Sequence, residues 1–143
     1  LPPDCAEHEW REDEVMAIVQ SHHPLAAQTS ASLDQIAACP WVTREPGSGL
    51  RGRVEQVFAE AGHVPVTSLE LAGVEAVKHA VRAGLGVGFV SSLALRHEDA
   101  SLVGLRIGPK GLWRTIRILV PHASSPTRAT KAFLDALISA RSV

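Results

Sequence analysis

The chain has 143 residues, of which 45% are hydrophobic and 20% charged, and 14 basic and 15 acidic residues give a formal net charge of −1. This length and composition are typical of one folded domain, or of two small lobes that share strands. The chain lacks the basic excess of a nucleic-acid binder, and no apolar run approaches the ~20 residues of a membrane span.

The first forty residues predict an irregular start, a buried strand and a short helix. Residues 1–13 are polar and include two consecutive prolines, so we expect no regular structure there. Residues 14–20 (EVMAIVQ) predict a strand buried on both faces, which residues 22–25 (HHPL) then break. Ser32 and Gln35 have the spacing of a capping box, so a short helix should follow and end before the next proline.

The middle of the chain alternates between predicted strands and predicted helices. Apolar residues recur at helical spacing in two segments, and Gly62 and Gly84 are placed to end these helices. The predicted order is a strand at 41–44, a loop at 45–49, a helix at 50–61, a strand at 64–71, a helix at 73–83 and a strand at 87–91.

The last third predicts a short helical segment at 93–97, two strands at 102–107 and 113–120, and a final helix. Ser125 and Pro126 match a helix N-cap followed by an N1 proline. The core side of the final helix should carry Phe133, Leu134, Leu137 and Ile138. Alternating strands and helices predict an α/β fold with a mainly parallel sheet covered by helices.

Several segments recur in the order and spacing of one known family. They are residues 41–49 (WVTREPGSG), 75–78 (EAVK) and 80–91 (AVRAGLGVGFVS), with Asp13-Glu14 before the first strand and residues 23–26 (HPLA) after it. In this order they resemble the effector-binding domain of LysR-type bacterial transcription regulators. The similarity covers essentially the whole chain.

The resemblance implies a periplasmic-binding-protein-like fold of two lobes with an effector between them. Residues 22–96 would form the second lobe, and residues 1–21 and 97–143 would form part of the first. The family's winged helix-turn-helix and the opening βαβα part of the first lobe are not in the sequence, so DNA would be contacted only through that absent domain. The resemblance also implies a homo-oligomer, in which the helix at 50–61 meets a first-lobe helix of the partner.

Residues 43–51 combine a strand end, a loop with two glycines and a helix start. Ligands of open α/β sheets lie outside the carboxyl ends of strands, and unpaired N–H groups at a helix start favour an anion. We therefore predict a site for a small anionic effector, as the resemblance also implies, with the candidate residues Thr43, Arg44, Glu45, Pro46, Gly47, Ser48, Val90 and Ser91. Two alternatives stay open: a solvated turn, and a salt bridge of Arg44 with Glu45 or with a neighbouring residue.

Other chemistries fit the sequence poorly. Residues 84–88 (GLGVG) end a helix and open a strand, the reverse of a dinucleotide-binding loop, so we interpret them as a tight turn with close packing. Ser48 lies directly between Gly47 and Gly49, whereas a nucleophile elbow needs glycine two residues to either side, where Pro46 and Leu50 lie. The seven histidines have no metal-ligand spacing, and we expect His22-His23 to be a solvated loop. Lys78 and Arg82, at i,i+4, predict a solvated helix face.

The cysteines and the start of the chain bear on the compartment. Cys5 and Cys39 have neither zinc-site nor CxxC spacing, so reduced thiols are expected, with a disulfide left open. The sequence begins at Leu1 without the regions of a signal peptide. We expect a fragment of a longer cytoplasmic protein that makes no membrane contact.

The sequence as a whole therefore predicts a sensor domain that binds a small effector and shifts a conformational equilibrium. It predicts no metal, no cofactor and no enzymatic activity, because no acid, base and nucleophile set is recognisable. A periplasmic solute-binding protein of the same architecture is the main alternative. An upstream signal peptide would favour that alternative, and an upstream helix-turn-helix would exclude it.

Overall fold

Strands and helices alternate through the middle of the chain, as the sequence pattern predicts. The computed structural model describes residues 4–122 and 126–140. The strands are β1 (Cys5–Gln20), β2 (Ser30–Ala31), β3 (Trp41–Arg44), β4 (Thr67–Leu71), β5 (Gly88–Ser91), β6 (Leu102–Ile107) and β7 (Leu112–Pro121). The helices are α1 (Leu33–Ala37), α2 (Gly49–Glu60), α3 (Val74–Arg82) and α4 (Arg128–Ser139), with 3₁₀ turns at Pro24–Ala27 and Ser92–Leu95.

The first two helices begin at residues whose side chains cap them. Ser32 and Gln35 form the predicted capping box, each side chain bonding to the other residue's backbone N–H. Ser48 caps α2 by accepting a hydrogen bond from the Arg51 N–H at 3.4 Å. Beyond α2, Gly62 has a φ of +82°, which glycine adopts without steric cost. The predicted capping box and the predicted end of the second helix are thus confirmed.

The larger of the two sheets is mixed in strand direction. β1 runs antiparallel to both β5 and β6, while β2 runs parallel to β6, giving the order β2-β6-β1-β5. β7 also pairs with β1. β3 pairs in parallel with β4, and Trp41 forms a parallel bridge to Val87 just before β5. The α/β fold is confirmed, but the sheet that contains β1 is mixed, because this long strand runs against its neighbours.

The chain forms two compact units, one of residues 14–113 and one of residues 1–13 with 114–143. As in the predicted lobes, both ends of the chain belong to the same unit. Their limits differ from the predicted ones, and the division into lobes at 22–96 stays a prediction. Among the described residues, no helix is long and apolar enough to cross a membrane.

The unit of residues 14–113 has a core layer on each face of its strands. Alternate residues of a strand point to opposite faces, so neighbours such as Trp41 and Val42 enter different layers. The layer that α2 covers includes Val15, Ala17, Val19, Trp41, Leu50, Val54, Phe58 and Phe89. The layer that α3 covers includes Ile18, Val42, Val77, Ala80, Val81 and Val90. The predicted burial of the first strand on both faces is confirmed.

Two strand boundaries differ from their predictions. β1 already begins at Cys5, although residues 1–13 were expected to be irregular. Charged side chains of this segment pair with residues on the neighbouring strand, as Asp13 does with Arg114 at 2.7 Å. β4 begins only at Thr67, and Val64 before it is 93% exposed. A hydrophobicity pattern misses the first strand because that strand is polar, and it overextends the second because exposed valines resemble strand residues.

α4 differs from its prediction in its cap and in its burial. The predicted cap, Ser125, lies outside the described residues, and Thr127 caps the helix by accepting from the Thr130 N–H at 3.1 Å. No α4 residue is buried, and Phe133 is 64% exposed. The expectation of core contacts is therefore wrong for Phe133 and Ile138, which are exposed, whereas Leu134 and Leu137 are half-buried. Helical periodicity identifies an apolar face, but it does not provide the layer that covers it.

α3 carries a buried cation that the sequence pattern placed in solvent. Lys78 is 4% exposed, and its ammonium pairs with Glu98 and with Glu75 Oε1 at 2.6 Å. Arg82 donates to the same Glu98 carboxylate and to the Ser101 hydroxyl, the latter at 3.2 Å. Desolvation lowers the pKa of Lys78, but its bonds to the two glutamates outweigh that effect and raise it. The predicted solvated face is therefore wrong for Lys78, because the turn after β5 folds a carboxylate over it.

The aromatic core gives a direct test of the layer under α2. Phe58 is fully buried and packs edge-on against Trp41, with ring centroids 4.7 Å apart. Phe58→Ala should destabilise the protein by about 3–5 kcal/mol in urea unfolding. Phe133→Ala is the matched control and should cost less than about 1 kcal/mol, since this side chain is mostly exposed. Equal losses would show that the α4 face is covered in solution.

The Lys78 cluster gives a pH-dependent test. Glu98→Gln should lower the urea midpoint at pH 7, because a buried ammonium loses a charged partner. The Lys78 hydrogen bond holds the pKa of Glu98 below its usual value of 4.5. The carboxylate therefore stabilises the fold above pH 4.5, and this contribution disappears as the pH falls through the folded-state pKa. The midpoints of variant and wild type should converge in acid.

Glu75→Gln serves as the control for the Glu98 variant. Glu75 also contacts Lys78, but its side chain is 72% exposed, so water replaces its contribution more easily. Its midpoint at pH 7 should fall less than that of Glu98→Gln. A Glu98→Gln difference that stayed constant from pH 7 into acid would contradict the assigned ion pair.

Candidate functional site

The predicted site lies where β3 and β5 end. The parallel bridge between Trp41 and Val87 sets β3 beside β5, so their carboxyl ends lie at the same edge. Thr43 and Arg44 close β3, and Ser91 closes β5. The sequence prediction therefore identified residues that the fold brings to one edge.

Thr43 presents a buried polar atom at this edge. Its residue is 4% exposed, and its Oγ1 has no hydrogen-bond partner among the residues that the structure describes. Leaving a hydroxyl buried without a partner costs about 1–3 kcal/mol. Such a group is uncommon in a folded protein and calls for a specific explanation, such as an ordered water or a ligand.

A narrow cavity lies between the end of β3 and α2. Its walls are formed by Trp41, Val42, Thr43, Arg44, Leu50, Arg51, Val54, Glu55 and Phe89. The cavity has a volume of about 10 Å³. That is the room of a single water, so the cavity accepts one polar atom beside Thr43 rather than a whole organic molecule.

The loop after β3 is tightened by an ion pair. Arg44 donates from Nε and Nη2 to the two carboxylate oxygens of Glu45, both at 2.7 Å. The Glu45 carboxylate also accepts the Gly73 N–H, just before α3, at 3.2 Å. Ser48 N–H closes the turn onto the Glu45 carbonyl at 3.2 Å, and Gly47 has a φ of +87°. The salt bridge that the sequence left open is therefore present, and the charge of Arg44 is already matched.

Arg51 connects three elements behind the loop. Its Nε donates to Glu55 at 2.7 Å, and its Nη1 donates to Glu70 at 2.7 Å and to the Arg44 carbonyl at 2.8 Å. Hydrogen bonds to Glu55 and Glu70 raise the pKa of Arg51. The i,i+4 spacing of Arg51 and Glu55 is visible in the sequence, but the approach of Glu70 from β4 is not.

Carboxylates outnumber guanidinium groups in this cluster. Two arginines face three glutamates, which gives a local balance of −1. The bond from Arg44 holds the pKa of Glu45 at about 2, so this carboxylate is ionised at neutral pH. Both arginines are therefore engaged, whereas the Thr43 hydroxyl beside them has no hydrogen-bond partner among the described residues.

The two candidates from β5 have different surroundings. Val90 is fully buried in the layer under α3, which corrects the expectation that its side chain faces the crevice. An alternating strand sends adjacent residues to opposite faces, and the sequence did not show which face Val90 takes. Ser91 caps the 3₁₀ turn that follows, accepting the Leu93 N–H at 3.2 Å.

The glycine segment and His23 take structural roles. A Cβ at Gly86 would lie 2.5 Å from the Pro40 carbonyl oxygen, so residues 84–88 form the tight, closely packed turn that was predicted. His23 is half-buried, so its assignment to a solvated loop is wrong. Its Nδ1 accepts the Leu25 N–H at 3.1 Å, and its Nε2 lies 3.9 Å from Cys39 Sγ.

Cys39 has no features of a reactive thiol. Burial raises the pKa of the Cys39 thiol and lowers that of His23, so the pair stays neutral. Cys5 and Cys39 are both free. Within residues 4–122 and 126–140, no three His, Cys, Asp or Glu side chains are grouped so as to hold a metal ion.

The fold is an α/β fold of the periplasmic-binding-protein-like type. The family model for the LysR substrate binding domain matches residues 1–142. The chain therefore belongs to the LysR substrate-binding domain family, as the sequence resemblance predicted.

A curated relative extends this comparison. The chain is 33% identical over 130 residues to the uncharacterized HTH-type transcriptional regulator YeiE of Escherichia coli K12, a match that covers 88% of this chain and 43% of the regulator. The chain thus spans less than half the length of this relative.

Two solved structures share the fold. One is the regulatory domain of CcmR from Synechocystis PCC6803 in complex with 2-PG, which superposes with a TM-score of 0.89 at 25% sequence identity. The superposition covers 99% of this chain and 70% of that chain. The effector-binding domain of QuiR in complex with shikimate gives a TM-score of 0.86 at 22% identity and covers 99% and 67%. The second likeness concerns the fold alone.

The orphan hydroxyl gives a stability test that needs no ligand. Thr43→Val keeps the shape but removes the buried polar atom, so it should leave the free energy of unfolding unchanged or raise it by up to about 1 kcal/mol. Urea unfolding in the absence of added anions measures this. Thr67→Val, at the exposed start of β4, is the control and should have little effect. A loss above about 1 kcal/mol would show that the Thr43 hydroxyl has a stabilising partner.

Proposed function

We propose that this chain is the effector-sensing domain of a LysR-type transcription regulator and that it binds a small anionic effector at the edge formed by β3 and α2. The observation that carries the proposal is the buried Thr43 hydroxyl, which lines a cavity and has no hydrogen-bond partner within residues 4–122 and 126–140. The proposed act is binding alone, with no bond made or broken.

The anionic character of the effector rests on the start of α2. The first N–H groups of a helix have no partner within it and lie at the positive end of its dipole. An effector carboxylate or phosphate could place one oxygen beside Thr43 and another at these N–H groups. The CcmR domain, at 25% identity, was solved with the small ligand 2-PG, which supports a small-molecule effector for this chain.

The proposed role of the whole protein extends beyond the 143 residues. The E. coli relative is an HTH-type regulator of which this chain covers 43%. By analogy, DNA would be bound through a winged helix-turn-helix outside this chain, in a homo-oligomer located in the cytoplasm. The relative's name favours this function over a periplasmic solute-binding protein or an enzyme.

The proposed mechanism is a shift between pre-existing arrangements. An effector that binds one arrangement more tightly increases the population of that arrangement. The equilibrium between the two arrangements shifts by no more than the difference in the effector's affinity for them. Occupation of the Thr43 edge would thereby alter the DNA-bound geometry of the regulator, and DNA binding would reciprocally alter effector affinity.

The proposal is tested by titrating the full-length protein with small carboxylates, inorganic phosphate and sulfate, followed by calorimetry. Thr43→Val should weaken the binding of whichever anion binds by about tenfold, since a hydrogen bond to a charged group contributes about 1.5–3 kcal/mol. Ser48→Ala tests the α2 cap in the same way. Thr67→Val should bind like wild type. Indifference of the folded wild-type protein to every anion would count against the anionic site.

A further inference from the structure

The two arginines of the site differ in how many elements their hydrogen bonds connect. Arg51 is bonded to α2, to β4 and to the β3 backbone, so releasing it would loosen three elements. Arg44 has its side-chain partner in the adjacent residue, Glu45, whose side chain is 38% exposed. Of the two cations, only Arg44 can lose its partner by a local rotation of one side chain into water.

We propose that the Glu45 carboxylate occupies Arg44 in place of an anionic effector and is displaced when the effector binds. This inference rests on the proposed function and adds the regulation of the same site. A ligand would then bind Arg44 only if it competes successfully with the Glu45 carboxylate.

The geometry of the pair supports this exchange. Arg44 holds Glu45 with two parallel N–H···O bonds of 2.7 Å, the fork that a guanidinium also offers to an external carboxylate or phosphate. Arg44 lines the cavity beside Thr43, and its side chain is 19% exposed. An anion with one oxygen at Thr43 therefore has this guanidinium among its nearest cations.

The displacement would also act on α3. The Glu45 carboxylate accepts the Gly73 N–H at 3.2 Å, directly before the first residue of α3. Rotation of Glu45 away from Arg44 breaks or reshapes this bond. Occupation of the site is thereby linked to the start of a second helix, whose buried Lys78 is in turn paired with the turn after β5. The exchange thus gives the site a physical route to a distant segment.

The competition is measured with inorganic phosphate and sulfate as probes, by calorimetry on the full-length protein at constant ionic strength. Glu45→Gln keeps an oxygen for the Gly73 N–H but removes the charge that holds Arg44. We expect this variant to bind the probe at least about fivefold more tightly than wild type, since opening a charge-assisted pair no longer opposes binding. Glu45→Ala provides the same test if the glutamine variant folds poorly.

Glu70→Gln is the matched control. It removes one negative charge from the same cluster, at a side chain of similar exposure, 45%, but it leaves the pair of Arg44 and Glu45 intact. Its gain in affinity should stay below about twofold, as expected for a screened, exposed charge. In the double variant Arg44→Met/Glu45→Gln the gain of Glu45→Gln should disappear.

The possible results separate this inference from the proposed function. If wild type binds the probe and Glu45→Gln binds no more tightly than Glu70→Gln, the displacement is refuted and the effector site stands. If Arg44→Met/Glu45→Gln keeps the full gain, Arg44 is not the released cation, and the displacement is again refuted. If neither wild type nor Glu45→Gln binds either probe, the displacement and the anionic site both fail.

Discussion

Burial of Trp41 is the constraint on which the geometry of the site depends. Its indole is fully buried, packs edge-on against Phe58 and Phe89, and donates from Nε1 to the Ile36 carbonyl at 3.0 Å. These contacts fix β3 between α2 and β5. Because side chains alternate along a strand, Thr43, two residues on, points to the same face as Trp41, toward α2. A hydrophobic anchor thus determines where the polar group of the site lies.

The same arrangement explains why a costly buried hydroxyl persists. A valine at position 43 would fill the space without the desolvation penalty, so the fold itself gains nothing from threonine. Polar groups held in place without partners are typical of sites that are organised in advance for a ligand. The surrounding ion pairs of Arg44 and Arg51 hold the cavity wall without offering their charges freely. The groups that hold this region together are therefore different from the hydroxyl proposed to bind the effector.

Most of the fold was predictable from local pattern, and the departures have a common cause. The strand at 41–44, the capping box at Ser32 and the turn at Gly62 follow from spacing and residue type alone. Three features do not follow from local pattern, because each depends on a residue or layer distant in sequence. They are the burial of Lys78, the pairing of Arg51 with Glu70 and the exposure of α4. In the site, the sequence identified the loop, but it left the state of Arg44 undecided until the position of Glu45 was known.

The charge balance at the edge of β3 sets a condition on any anionic effector. With two guanidinium groups against three carboxylates, the cluster does not attract anions by net charge, and electrostatic steering cannot supply the affinity. In the proposed site, affinity would instead come from short-range hydrogen bonds of defined direction, from the Thr43 hydroxyl, the start of α2 and an exchanged Arg44. The proposed site would discriminate by the placement of oxygens rather than by charge alone, because an abundant ion that fits poorly would not offset the loss of the Arg44–Glu45 pair.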